Sequence, residues 1–183
     1  MIEVNRQTVL SVLHSMEKGR EKRSLILKRH GIDLDGEENW FPHQKWLESF
    51  KEIEGSLGPT NLMLIGRAII KSADFPKMKD LEEALRSINI AYHMNHRKNG
   101  KVMFKNGRIT SGIGDYKLSK FDSQRKEAEI ICTNPYPSKF DEGIISQIVK
   151  QFKPLGSREV VEIDPEKETR KNGGKSCTFL IRW

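Results

Sequence analysis

The stretch Cys132-Thr133-Asn134-Pro135-Tyr136-Pro137 runs directly into Ser138-Lys139-Phe140-Asp141-Glu142-Gly143-Ile144-Ile145. Two prolines bracket Tyr136 and keep the loop out of regular structure. Beyond them, Phe140, Ile144, Ile148 and Phe152 recur every fourth residue, with Ile145 and Val149 alongside. That is the period of an amphipathic helix laying a broad apolar face on a sheet. Ser138, three residues before Asp141, resembles a capping arrangement, and Asp141 reads as first-turn charge opposite the helix dipole. Ala128 to Cys132 alternates like a strand, and further strands are expected near Glu159–Ile163 and Cys177–Trp183. Asn172-Gly173-Gly174 supplies a turn in which positive φ costs little. Phe179 and Ile181 then share one strand face, and Thr178 and Leu180 the other.

Working back towards the start, the period is helical. Val9, Leu10, Val12, Leu13 and Met16 predict a helix over Asn5 to Glu17, and a short one over Glu21 to Arg29 follows. Trp46, Leu47, Phe50 and Ile53 mark a third. Gly58-Pro59-Thr60 opens a fourth, with Leu62, Ile65, Ile69 and Ile70 on its inner side. Gly66 lies inside that helix at a cost of about 1 kcal/mol relative to Ala, so another backbone is expected to approach there. Past Phe75-Pro76, Met78, Leu81, Leu85, Ile88 and Tyr92 form one stripe. After Asn99-Gly100 the pattern turns strand-like over Lys101–Phe104, Ile113–Phe121 and Ala128–Cys132. The expected fold class is α+β in a single domain, 1–183: a helical N-terminal half, 1–98, packed on a mainly antiparallel sheet with one long amphipathic helix, 99–183.

The chain has 183 residues, 36% of them apolar, enough to bury one core. No apolar run approaches the roughly 18–20 residues needed to span a bilayer, so no membrane role is expected. The start lacks the features of a signal peptide, and two cysteines suit a reduced cytoplasm. Net charge is +7. Arg20, Lys22, Arg23 and Lys28 fall in a basic run, Lys18–Arg29, that can meet nucleic-acid phosphates or form the solvated face of a helix. The solvated face is the expected reading. No phosphate-binding glycine loop, nucleophile elbow or metalloprotease pattern occurs, so no catalytic residues, no enzyme activity and no metal site are expected. Cys132 and Cys177 read as buried inert thiols, with a redox pair as the alternative.

The order of strand, proline-bracketed loop, glycine-containing helix and closing strands resembles the haem–nitric-oxide/oxygen-binding (H-NOX) domains and their 4-vinyl reductase-type relatives. Ile26-Leu27-Lys28-Arg29-His30-Gly31-Ile32 and Leu62-Met63-Leu64-Ile65-Gly66-Arg67 are similar to the early helices of the haem family. The resemblance implies a sensor domain that binds a small, mostly apolar ligand and signals to a partner protein, with homodimerisation open. The expected ligand-binding residues are Leu62, Ile65, Ile69, Leu85, Ile88 and Tyr92 from the helical half. Tyr136, Ile144 and Ile148 add to them from the closing module. Trp40, Phe41 and Trp46 are candidates for a rim.

The same resemblance implies a histidine ligand for haem iron on the mid-chain helix. The candidates are His96 and His93, and His96 lies nearer the apolar stripe, about 40° from Tyr92 at 100° per residue. The haem-binding members carry a Tyr-x-Ser-x-Arg motif before the closing helix, and Cys132 to Lys139 does not contain it. No cofactor is therefore expected, with a haem-based gas sensor as the alternative reading.

Overall fold

The computed structural model describes residues Met1–Trp183. The chain opens with β1 (Ile2–Asn5), α1 (Arg6–His14), α2 (Arg20–Arg29), β2 (Trp40–Pro42), α3 (His43–Leu57), α4 (Pro59–Ser72) and α5 (Leu81–Met94). Four short strands follow: β3 (His96–Lys98), β4 (Lys101–Val102), β5 (Phe104–Lys105) and β6 (Arg108–Ile109). The closing module is β7 (Tyr116–Asp122), β8 (Glu127–Cys132), α6 (Ser138–Phe152), β9 (Val160–Ile163) and β10 (Cys177–Arg182). The α+β class is as expected.

Local chemistry sets the helix starts. The Asn5 side chain accepts from the Thr8 amide (2.9 Å) and caps α1, and Asp80 accepts from the Glu83 amide (2.8 Å) and caps α5. Pro59 sits in the first turn of α4, where its missing N–H is harmless. The expected cap on α6 is not there: the helix begins after Pro137 with no side-chain cap, and the Ser138 hydroxyl lies 3.0 Å from Cys177 Sγ. The first helix, expected over Asn5 to Glu17, spans Arg6–His14, and the strand Ile2–Asn5 before it was not expected. The Asn172-Gly173-Gly174 turn is a turn of 3-10 helix over Arg170–Asn172, ended by Gly173 at φ 84°. It lies within the loop between β9 and β10.

Two four-stranded sheets organise the molecule, in the orders β2-β1-β3-β4 and β7-β8-β10-β9. In the first, β1 pairs antiparallel with both β2 and β3, so the chain start closes onto the segment that follows α5. In the second, Cys177 stands opposite Cys132 and Phe179 opposite Ile130. One face of this sheet meets α6, whose Phe140, Ile144, Ile145, Ile148 and Val149 are buried. A single apolar core runs from Val4 through α3–α6 to Ile181. No helix is long and apolar enough to cross a membrane.

Helices α4 and α6 cross backbone to backbone. A Cβ on Gly66 would collide with the Phe140 carbonyl, and one on Gly143 with the Met63 carbonyl. Gly66 therefore does what its position inside a helix implies, and Gly143 answers it from the other side.

Candidate functional site

The end of α5 is pinned by Asn95. Its Nδ2 donates to Ala91 O (2.7 Å) and Asp74 O (2.8 Å), while its Oδ1 accepts from Asn5 Nδ2 (2.7 Å) and the Asp74 amide (3.0 Å). The next residue, His96, is thereby fixed as β3 begins. From the other half, the proline-bracketed loop presents Tyr136. Asn134 Oδ1 accepts from the Tyr136 amide (2.8 Å), and the Thr133 amide donates to Asp115 O (2.9 Å). Backbone and amide hydrogen bonds thus hold both side chains before they touch.

They meet in the core. His96 Nδ1 lies 2.5 Å from Tyr92 O, an acceptor that only a protonated nitrogen satisfies. This leaves Nε2 with its lone pair, which accepts from the Tyr136 hydroxyl at 2.6 Å. Burial, then the neighbouring His43, lowers the His96 pKa to about 3, so the ring is neutral at ordinary pH. His43 packs edge-on against His96, with centroids 5.1 Å apart, and burial lowers its pKa to about 4. Tyr92, Phe50 and Phe140 complete an aromatic cluster around Tyr136 at centroid separations of 5.0–5.8 Å. Burial pushes the Tyr136 and Tyr92 hydroxyls well up, so both remain donors. His43 Nε2 and Trp46 Nε1, buried in the same region, have no hydrogen-bond partner.

A cavity of about 30 Å³ lies between the two halves. It has room for roughly two waters at about 10–15 Å³ each. Of the nine residues expected to line a ligand pocket, Ile69, Ile88, Tyr92, Tyr136 and Ile144 line this cavity, together with His96. Leu62, Ile65, Leu85 and Ile148 are buried in the core away from it. Thr8, Asn95, Tyr116 and Phe140 also line it and were not anticipated. His93 is fully buried, hydrogen-bonds Asn89 O (2.9 Å) and does not face the cavity. Phe41 and Trp46 belong to the core rather than to a rim, and Trp40 carries the Arg97 guanidinium at 4.8 Å.

Beside the cluster is a second buried arrangement that sequence reasoning missed. Asp141 stands in the first turn of α6 as expected, and it is fully buried there. It accepts from the Tyr116 hydroxyl (2.6 Å) and from Arg170 Nη2. Arg170 Nη1 donates to Cys132 O (2.9 Å) and Asn134 O (2.8 Å), binding the last loop to the proline-bracketed one. Burial raises the Asp141 pKa to about 6, against the pull of Arg170. An arginine therefore does reach this loop, from residue 170 rather than from a local motif, and its charge is spent on Asp141.

In the basic run Lys18–Arg29, Lys18, Arg20, Lys22, Lys28 and Arg29 form the solvated face that was expected, and Arg23 alone among the basic residues is buried. Arg23 is fully buried, donating through Nε to Val12 O (2.7 Å), through Nη1 to Lys18 O (3.0 Å) and through Nη2 to Met16 O. Arg20 pairs with Glu17, Lys28 with Asp35 (2.6 Å), and Lys22 reaches Ser56 O (3.3 Å). Cys132 and Cys177 are free and buried, and burial pushes the Cys132 thiol up.

No protein-family model and no curated protein matches the sequence. Solved structures do. A double mutant of an H-NOX domain labelled Tt aligns over 98% of this chain and 94% of its own, with a TM-score of 0.63 at 13% identity. An H-NOX protein from S. oneidensis in the Fe(II)NO ligation state aligns over 96% and 97%, with a TM-score of 0.59 at 10% identity. A third, described for modulation of haem redox potential through porphyrin distortion, aligns over 96% and 92%, at 0.59 and 15%. The chain folds as an H-NOX-like domain.

These neighbours overturn the expectation that no cofactor bears on this chain: haem is the group that the fold implies. The donor chemistry at His96 suits iron, because the imidazole is neutral and buried with its Nε2 lone pair facing the other half. The packing does not suit a macrocycle. Tyr136 caps Nε2, aromatic rings fill the interface, and about 30 Å³ falls far below the roughly 300–1,000 Å³ of ordinary ligand sites. In this closed arrangement the residues present do not accommodate haem.

Proposed function

We propose that this chain is a small-molecule sensor domain on the H-NOX fold, whose ligand acts at the His96–Tyr136 contact and whose response passes to a partner protein. The observation that carries the reading is a neutral, fully buried imidazole joined by one 2.6 Å hydrogen bond to a hydroxyl from the opposite half. Buried polar pairs of this kind hold one arrangement of two packed surfaces, and a ligand with differential affinity shifts it. A ligand that takes the His96 lone pair must displace Tyr136. That frees the loop Thr133–Pro137, which leads into α6 and is tied through Arg170 to the last loop. The structural neighbours support this reading through their fold. Haem is the first ligand to test, and entry requires the aromatic cluster to open.

The test is absorption spectroscopy with native mass spectrometry on protein expressed with a haem precursor, for wild type and His96→Ala. A Soret band or a retained ligand mass that is lost in the variant supports the assignment. A ligand retained equally by both proteins places the site elsewhere.

A further inference from the structure

From His96 to Gly114 the chain contains no Asp or Glu, yet it carries Arg97, Lys98, Lys101, Lys105 and Arg108. Arg97 is satisfied, since it forks onto Glu3 at 2.6 and 2.8 Å. The other four are exposed and have no carboxylate within 4 Å. Both hairpins here turn through left-handed pairs, Asn99 (φ 50°) with Gly100 (φ 77°) and Asn106 (φ 52°) with Gly107 (φ 75°). Such turns suit tight two-residue hairpins, so the side chains flanking them have fixed places.

Those flanking places hold like charges. Lys98 stands directly opposite Lys101 across β3 and β4, and Lys105 directly opposite Arg108 across β5 and β6. Like charges directly opposite one another destabilise a strand pair. Folding therefore disfavours both pairs, and no acid of this chain offsets them. An anion placed across each pair would do so.

We propose that this double hairpin is a binding surface for duplex nucleic acid, gripping phosphates through Lys98, Lys101, Lys105 and Arg108. The β5–β6 hairpin is a two-stranded ribbon, of a size to enter a major groove about 12 Å wide, while β4 lies beside it in sequence at the edge of the first four-stranded sheet. A protein partner is disfavoured by composition. Val102 and Ile109 are the only exposed large apolar side chains on the hairpins, too few for the apolar centre of an interface burying about 800 Å² per side. Phosphate contact needs no apolar centre. In the α2 run Arg20, Lys28 and Arg29 pair with carboxylates and Arg23 is buried, whereas all four cations of this surface are without a carboxylate partner. The surface does not depend on the role of His96.

Fluorescence anisotropy on the whole protein with a labelled DNA duplex, from about 50 to 200 mM salt, tests it. Four phosphate contacts predict a log–log salt slope of about −3.6 at most. The combined variant Lys98→Gln, Lys101→Gln, Lys105→Gln and Arg108→Gln is expected to bind at least tenfold more weakly, with a Tm equal to or above wild type because the like-charge pairs are gone. Arg20→Gln with Lys22→Gln is expected to bind within twofold of wild type. No binding at the low-salt end, or unchanged affinity in the four-fold variant, overturns the proposal. So does tighter binding of a poly-glutamate peptide than of the duplex, which would make the partner an acidic protein surface.

Discussion

Gly66 on α4 and Gly143 on α6 face each other across a helix crossing so close that neither position has room for a Cβ. The contact joins the helical half of the chain to the module built on the second sheet. It brings the two backbones near enough for the aromatic cluster beside it to close around a small cavity.

Gly66→Ala and Gly143→Ala should each destabilise the protein despite a helix-propensity gain of about 1 kcal/mol. Overpacking against a backbone carbonyl outweighs that gain, and a net loss of about 2 kcal/mol or more is expected. Urea unfolding measures it. A variant as stable as wild type would mean that the helices sit further apart than described.

Arg23→Met should cost about 3 kcal/mol, because it strips a buried guanidinium from the carbonyls of Val12, Met16 and Lys18. Lys22→Gln, on the exposed side of the same helix, should change stability by less than about 0.5 kcal/mol. Denaturant midpoints for the two variants give the comparison, and equal midpoints would return Arg23 to the surface.

Asp141 titrates near pH 6 in the folded protein, above its ordinary value of 3.8. The folded state then binds more protons than the unfolded state between those limits, so this group's contribution falls as pH rises from about 4 to 6. Wild type should accordingly lose stability relative to Asp141→Asn over that window and run parallel to it above. A gap that widens in favour of wild type as pH rises would show that Arg170 outweighs burial.

Much of this fold was legible because its helices repeat. The i, i+4 recurrence from Phe140 to Phe152 located α6, and one glycine among Leu62, Ile65 and Ile69 foretold a close crossing. Helical phase also preferred His96 over His93, and His96 is the one that faces the cavity. β1 and β2 were missed because strands of three or four residues carry no readable period and pair with residues far along the chain. Arg23 was misread as part of a solvated face, and the burial of Asp141 was not seen, for a related reason. Their partners, Arg170 in a distant loop and the carbonyls at the end of α1, are joined to them only by the fold. The cofactor reading rested on a local motif, whereas the arginine near that loop arrives from residue 170.

The most direct test of the central claim is an optical titration of purified protein with haemin, comparing wild type, His96→Ala and Tyr136→Phe. Because about 30 Å³ is closed around His96 Nε2, the account predicts weak haemin binding in wild type that requires the Tyr136 contact to open. Tyr136→Phe should tighten it about tenfold, since one buried hydrogen bond of about 1.4 kcal/mol no longer has to be broken, and His96→Ala should abolish it. Binding that survives His96→Ala, or that Tyr136→Phe leaves unchanged, would contradict it.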